Sequence, residues 1–235
     1  MATAGNRKPR SAGPASRRWQ EVLDVSAEVF YRLGYAEASV GDVAAALGIT
    51  KGSLYHYVQN KEDLLYAIIR EAHDLTRQNL QRAQSLEGPA LDRLRQYFTG
   101  HVRINTDHLE KSALIYRDLR HLSAIRRRQI VKVRDEVETF VRQLLTDGLR
   151  ERAVCQLADV RLSSIEMFST ANGIYQWYQP GGPHTAEEVA ESVAAFVVSA
   201  VACDGSPQAH CVRHATERGR SSPSPEPMTG RRAGG

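Results

Sequence analysis

The stretch that decides the fold covers residues 39–57 and reads SVGDVAAALGITKGSLYHY. It predicts two short helices joined by a tight turn, which is the helix-turn-helix plan. Ser39 is the expected N-cap of the first helix, at about 40–47, because its hydroxyl can accept a bond from a first-turn amide. Gly48 permits the turn, and the second helix is expected to start after Thr50 and to end near Tyr57. The two helices are expected to pack through small and apolar side chains: Val43, Ala44, Leu47, Ile49 and Leu54.

The second helix carries hydrogen-bond donors and flat rings on its outward side. Such groups suit phosphate oxygens and base edges, and they are Lys51, Ser53, Tyr55 and His56. The overall net charge is only +4, but residues 1–18 hold five basic side chains and no acidic one: Arg7, Lys8, Arg10, Arg17 and Arg18. A basic arm beside a folded domain is a common phosphate-seeking device, although it can equally be a solvated leader. We therefore expect double-stranded DNA as a partner.

Helical periodicity continues on both sides of this stretch, and prolines are absent between 14 and 89 and between 89 and 180. Asn60 is the expected N-cap of a long helix at about 61–84, and Thr185 with Glu188 forms a capping-box pattern. The sequence predicts an all-α fold of about nine helices, the others lying at about 16–33, 90–105, 108–121, 124–152, 156–178 and 186–202. We expect four segments: a disordered basic arm (1–15), a three-helix DNA-binding domain (16–60), a helical ligand-binding and dimerisation domain (61–203) and a disordered tail (204–235).

Several other classes of protein find little support in the sequence. No apolar run reaches the roughly 18 residues that span a bilayer, and no apolar stretch follows the basic N-terminus, so we expect a cytoplasmic protein without a membrane partner. The spacing of Cys203, His210, Cys211 and His214 matches no standard zinc pattern. We expect no metal, no cofactor and no catalytic residue, since no nucleophile elbow, phosphate loop or H-E-x-x-H is present. An enzyme and an architectural DNA-binding protein remain the alternatives.

The run GITKGSLYHYVQNKEDLL, behind a helix that ends FYRLGY, resembles the DNA-binding end of the tetracycline-repressor family of bacterial regulators. The resemblance covers about 19–66. It implies that the positions facing the DNA groove are Lys51, Gly52, Ser53, Tyr55 and His56. It also implies that Tyr57 lies at the edge of that surface and that Lys61 opens the fourth helix beside a phosphate. For Tyr57, packing in the core is an equally open alternative.

Two further segments, LIYRDLRHLS at 114–123 and YQWYQPGGPHTAEEVAESVAAFV at 175–197, resemble a subgroup of that family. Members of the subgroup regulate fatty-acid and sterol-ring breakdown and bind acyl-CoA thioesters. The resemblance implies an acyl-CoA thioester as the effector, and we expect it to release a repressor from its operator. A two-fold dimer should prefer a palindromic operator, because the symmetry of the protein is mirrored in the DNA. A neutral lipophilic or aromatic effector is the alternative.

Polar or adaptable side chains near apolar helix faces are the candidates for a ligand pocket. Asn172 stands inside a mostly apolar helix, and a buried amide needs a partner. Arg120 could hold a ligand phosphate in a forked contact, or it could belong to a solvated face. The full set is Tyr97, His101, Tyr116, Arg120, Met167, Asn172 and Tyr175. We expect a homodimer through the last two helices, because they carry apolar side chains beyond the needs of one core face: Ile165, Phe168, Phe196, Val197 and Val201.

Overall fold

The computed structural model describes residues 14–155 and 159–203, and within these ranges it is built from helices. In order they are α1 (Pro14–Leu33), α2 (Val40–Ala46), α3 (Lys51–Leu54), α4 (Lys61–Gln84), α5 (Ala90–Asp107), α6 (Leu109–Asp118), α7 (Ala124–Arg150), α8 (Val160–Asn172) and α9 (Ala186–Ser199). The all-α prediction is therefore confirmed. In the described part of the chain no helix is both long and apolar enough to cross a membrane.

Local side-chain chemistry fixes where several helices begin. Ser39 and Asp42 form a capping box at α2, and Thr185 and Glu188 form another at α9. Asn60 caps α4 by accepting from the amide of its third residue. All three caps were predicted, since the pattern is visible in a few consecutive residues.

Two glycines make the turns that shape the N-terminal part. Gly34 ends α1 with a φ of +81°, and Gly48 turns the chain between α2 and α3 with a φ of +65°. Both angles lie in the left-handed region, which other residues adopt only at a cost. A side chain at either position would therefore strain the backbone.

The second helix of the motif and several of the later helices are shorter than predicted. The α3 helix ends at Leu54, and the segment to Tyr57 continues as a turn. The predicted helix at 108–121 is α6 followed by a short 3-10 turn at Leu119–His121, and the one at 156–178 is α8 followed by another at Gly173–Gln176. Residues 156–158, the tail and nearly all of the predicted basic arm lie outside the described residues. The last two residues of that arm, 14 and 15, begin α1.

Two apolar clusters hold the fold together. The first joins α1, α2, α3 and the first half of α4 to side chains of α6 and α7, such as Leu114 and Ile130. The second is built mainly from α5, α7, α8 and α9, with Phe98 and Leu144 at its centre. The α4 helix contributes to both clusters, as Leu65 lies in the first and Leu80 in the second. It therefore connects the helix-turn-helix motif to the rest of the protein.

Candidate functional site

The outer side of α3 and the turn after it is a surface of donors and rings. Thr50 caps α3 by accepting from the Ser53 amide at 3.1 Å, and Leu54 anchors the helix in the core with no exposed surface. That anchoring turns the neighbouring side chains outward. Tyr55 is 45% exposed, and the Lys51 ammonium lies 5.9 Å from its ring centre.

The predicted groove-facing residues share this surface. Lys51, Gly52, Tyr55 and His56 are exposed. Ser53 is half-buried, and its hydroxyl lies 2.9 Å from that of Thr50. Tyr57 is 42% exposed and stacks on Trp19 of α1, with ring centres 6.0 Å apart. Tyr57 is therefore held by an aromatic neighbour at the rim of the surface and is not a core residue.

Lys61 is oriented differently from the prediction. Its ammonium donates to the carbonyl oxygens of Tyr35, Ala36 and Ala38 at 2.7, 3.0 and 2.8 Å. It also lies 4.5 Å from the centre of the Tyr35 ring. An ammonium has three N–H donors, so this set occupies all of them. The predicted phosphate contact does not fit this geometry, and Lys61 instead braces the segment that follows α1.

A cavity of about 210 Å³ lies among α4, α5, α6, α7 and α8. Its apolar wall consists of Ala72, Ile104, Ile115, Val137, Ile165 and Phe168. Its polar wall consists of His73, Thr76, His101, Asn105, Ser112, Tyr116, Arg134, Glu138, Ser169 and Asn172. An apolar cavity with a few convergent polar groups is typical of a small-molecule site.

Asn172 gathers two of these polar side chains on one oxygen. Its Oδ1 accepts from the Tyr116 hydroxyl at 2.7 Å and lies 2.8 Å from Nε2 of His101. Because that oxygen is an acceptor, Nε2 must carry the proton and donate. Burial lowers the pKa of His101 and raises the pKa of Tyr116, so both rings are neutral. Asn172 is half-buried, not buried as predicted, and its amide oxygen has two protein partners.

The seven predicted pocket residues divide into two groups. Those that line the cavity are His101, Tyr116 and Asn172. Tyr97 and Met167 belong to the core beside it, and Tyr175 stacks on the Tyr116 ring with centres 5.6 Å apart. Arg120 is exposed in the 3-10 turn after α6, where its Nε lies 3.5 Å from His121. Arg120 does not line the cavity, so the cavity wall gives no support to its predicted phosphate-binding role.

Sequence reasoning missed His73, Ser112 and Arg134. His73 lies four residues after Ile69, on the buried face of α4. A polar residue at this position of an otherwise apolar face could have indicated a buried polar site in the sequence. His73 is 5% exposed. Ser112 and Arg134 gave no comparable signal, since one is a small residue and the other lies in a charged helix.

Comparison with protein families decides the identity. Residues 22–68 match the model described as bacterial regulatory proteins of the tetR family, and residues 87–201 match the tetracyclin repressor-like C-terminal domain. The chain belongs to the tetracycline-repressor family. It is therefore a DNA-binding transcriptional regulator and not an enzyme, as predicted.

Individual members of the tetracycline-repressor family resemble the chain over most of its length. The transcriptional repressor KstR2 of Mycolicibacterium smegmatis is 28% identical over 190 residues, which are 80% of this chain and 92% of that protein. The structure of the ketosteroid regulator KstR2 of Mycobacterium tuberculosis has a TM-score of 0.76 at 26% identity, covering 83% of this chain and all of the other. The structure of AibR with isovaleryl coenzyme A and operator DNA has a TM-score of 0.68 at 25% identity. The match covers 76% of this chain and 97% of AibR.

Members of this family dimerise, and this chain exposes large apolar side chains near α8 and α9. They are Leu162, Ile165, Trp177 and Phe196, and Phe196 is 61% exposed. Three residues predicted for the same face lie elsewhere: Val197 and Val201 are buried in the subunit core, and Phe168 packs between Phe98 and His101. For Val197 the period of α9 explains this, since the face of the helix that carries Val197 covers α5 and the face that carries Phe196 is open.

Proposed function

We propose that this chain is a homodimeric repressor that leaves its operator when an acyl-CoA thioester binds, with the acyl group inside the cavity. The observation that carries the proposal is the cavity itself, because its walls include α4 and α6, and both helices also pack on α1. A ligand there contacts the elements that position the DNA-reading surface. AibR, a similar protein, has been solved with isovaleryl coenzyme A and operator DNA together.

The size of the cavity supports a binding mode in which the acyl group lies inside and the nucleotide part of coenzyme A lies outside. Pockets that hold drug-sized ligands have volumes of about 300–1,000 Å³. The 210 Å³ available here is smaller, which suits an acyl group but not a whole coenzyme A. The nucleotide part would then lie outside, along the surface at the cavity wall.

Arg134 is the cation we assign to the phosphates. It lies in the cavity wall on α7, is exposed, and forms no ion pair within the described ranges. An unpaired guanidinium matches a phosphate by a forked pair of hydrogen bonds. Arg134 thus takes the role that the sequence suggested for Arg120.

We place the DNA contacts on the exposed surface that includes Lys51, Tyr55 and His56. A two-fold dimer presents this surface twice, so the operator should be palindromic with half-sites one or more helical turns apart. We place the dimer interface on α8 and α9, where Leu162, Ile165 and Phe196 are exposed. Two helices from each subunit would form a four-helix bundle.

Release would follow from a change in half-site spacing. A ligand that displaces α4 or α6 changes the distance between the two DNA-reading surfaces and weakens both half-site contacts together. Such coupling is typically about 1–3 kcal/mol, and it is reciprocal, so operator DNA must weaken effector binding by the same factor.

The test is titration of acyl-CoA thioesters into a complex of the full chain with labelled operator, followed by fluorescence anisotropy. Free coenzyme A and the free fatty acid are the controls for the two halves of the ligand. With Arg134→Met, release should require about a tenfold higher concentration of acyl-CoA. A hydrogen bond to a charged group contributes roughly 1.5–3 kcal/mol, and tenfold corresponds to the lower end of that range. Arg120→Met is the matched control and should respond like the wild type. If thioesters fail and an uncharged lipophile releases DNA, the acyl-CoA assignment is wrong and a neutral effector replaces it.

A further inference from the structure

Three polar side chains in the cavity wall share one property. Each has a buried atom without a hydrogen-bond partner in the described part of the chain: both ring nitrogens of His73, Nδ1 of His101 and the hydroxyl oxygen of Ser112. They come from α4, α5 and α6. Leaving such a group unpaired is unfavourable, so three around one cavity indicate that partners arrive with a ligand.

The protonation states define what that partner must be. Burial of the ring, and then the charges of Arg134 and Arg77, lower the pKa of His73 and keep it neutral. A neutral imidazole has one donor and one acceptor. Because Nε2 of His101 donates to Asn172, its Nδ1 is an acceptor. The Ser112 hydroxyl can do both. This set is uncharged and complements a neutral oxygen function, whereas a plain hydrocarbon would leave all of it unpaired.

We propose that the buried part of the effector carries a keto or hydroxyl oxygen that hydrogen-bonds His73, and that His73 is a specificity-determining residue of the cavity. The proposal rests on the proposed function in that the cavity must hold the effector. It adds that saturated hydrocarbon groups of the same size are disfavoured. His73 lies one residue from Ala72, which belongs to the core cluster of the DNA-reading motif. A bond to His73 therefore acts on the helix that enters that motif.

The test uses two pairs of ligands that differ only in one oxygen. The first pair is octanoyl-CoA and 7-oxooctanoyl-CoA, and the second, without coenzyme A, is decalin and 2-decalone. Binding to the full chain is measured by calorimetry and operator release by anisotropy. A net hydrogen bond contributes roughly 0.5–1.5 kcal/mol, so the wild type should prefer the oxygenated member of each pair about three- to tenfold.

Three variants separate this role from a merely structural one. His73→Leu should abolish the preference, because it binds both members of a pair alike, and it should raise thermal stability by removing two unpaired nitrogens. His73→Gln retains a donor and an acceptor and should keep part of the preference. His184→Leu, at an exposed histidine before α9, is the control and should behave as wild type.

The outcomes distinguish this proposal from the proposed function. If thioesters bind without any preference for the oxo form, or if His73→Leu keeps the preference, the inference is overturned and the acyl-CoA function stands. If only 2-decalone binds, and His73→Leu abolishes its advantage over decalin, the inference stands and the acyl-CoA function fails. If neither pair binds, both are wrong.

Discussion

The ammonium of Lys111, on α6, lies 2.6 Å from the Asp24 carboxylate on α1. It also lies 2.9 Å from the Glu71 carboxylate on α4, and the Lys111 side chain is only 7% exposed. The next residue on α6, Ser112, faces the cavity. One side of α6 therefore forms part of the cavity wall. The other side is joined by an ion pair to α1, the first helix of the DNA-reading domain. Displacement of α6 by a ligand would reach α1 through this pair.

Replacing Lys111 tests that connection. Lys111→Met keeps the length of the side chain but leaves Asp24 and Glu71 without their shared cation. We expect the free energy of unfolding to fall by about 1–3 kcal/mol, less than for a fully buried pair because Asp24 is half exposed. Operator affinity without ligand should change little, and its reduction by an effector should shrink. Chemical denaturation and anisotropy with and without effector measure both.

The control for Lys111 is a surface pair of similar chemistry. Arg103 lies 3.3 Å from Asp107 on α5, with both side chains about 40% exposed. Arg103→Met should cost no more than about 0.5 kcal/mol and leave the effector response intact, since exposed pairs contribute little. A Lys111→Met protein with wild-type stability and a wild-type effector response would show that this ion pair does not couple the two parts.

The DNA-reading surface predicts two different kinds of defect. Tyr55→Ala should weaken operator binding by about 1–3 kcal/mol if the ring reads a base, and it should do so mainly on the specific sequence. Lys51→Ala should weaken binding to all sequences. It should also reduce the steepness of the plot of log affinity against log salt concentration by about one, because one phosphate contact is lost. Lys132→Ala removes an exposed charge from α7 and should affect neither. Salt titrations with operator and random duplex measure these effects. Equal loss on both duplexes for Tyr55→Ala would exclude base reading.

The parts of the fold that could be predicted are those encoded over a few consecutive residues. The caps at Ser39, Asn60 and Thr185 and the turn at Gly48 depend only on their immediate neighbours. The cavity wall depends on how five helices pack, which is why Arg134 was missed and Arg120 was chosen. Lys61 shows the same limit. Its position at the start of α4 was correct, but its bonds go to carbonyls 23–26 residues earlier, which no local pattern indicates.

The buried His73 predicts how stability changes with pH. Burial, and then the charge of Arg134, lower its pKa from 6.5 to about 4. The unfolded chain therefore takes up a proton below about pH 6.5 while the folded chain does not, so stability is full above that pH and is lost as the pH falls toward about 4. At about 1.4 kcal/mol per pKa unit, the loss is on the order of 3 kcal/mol.

The measurement is the free energy of unfolding of the wild type and His73→Leu at several pH values between about 7 and 4. Other groups titrate in this range, and burial raises the pKa of Asp118, so only the difference between the two proteins reports on His73. That difference should widen in favour of His73→Leu as the pH falls. His184→Leu should follow the wild type. A constant difference across the range would mean that His73 is protonated alike in both states.

The proposed dimer interface makes the last prediction. Phe196 is 61% exposed on α9, whereas its neighbour Val197 is 1% exposed and packs in the subunit core. Phe196→Glu should therefore give folded monomers, because it places a charge in the interface without disturbing the core. The same change at Val197 would bury a charge inside one subunit and cost stability regardless of the interface.

Sedimentation velocity and circular dichroism together measure assembly and folding. Ile125→Glu is the matched control, since Ile125 is 66% exposed but lies at the start of α7, away from the proposed interface. Folded monomers of Phe196→Glu should also lose most operator affinity, because each then binds one half-site alone. If Phe196→Glu stays dimeric while Ile125→Glu dissociates, the interface lies along α7.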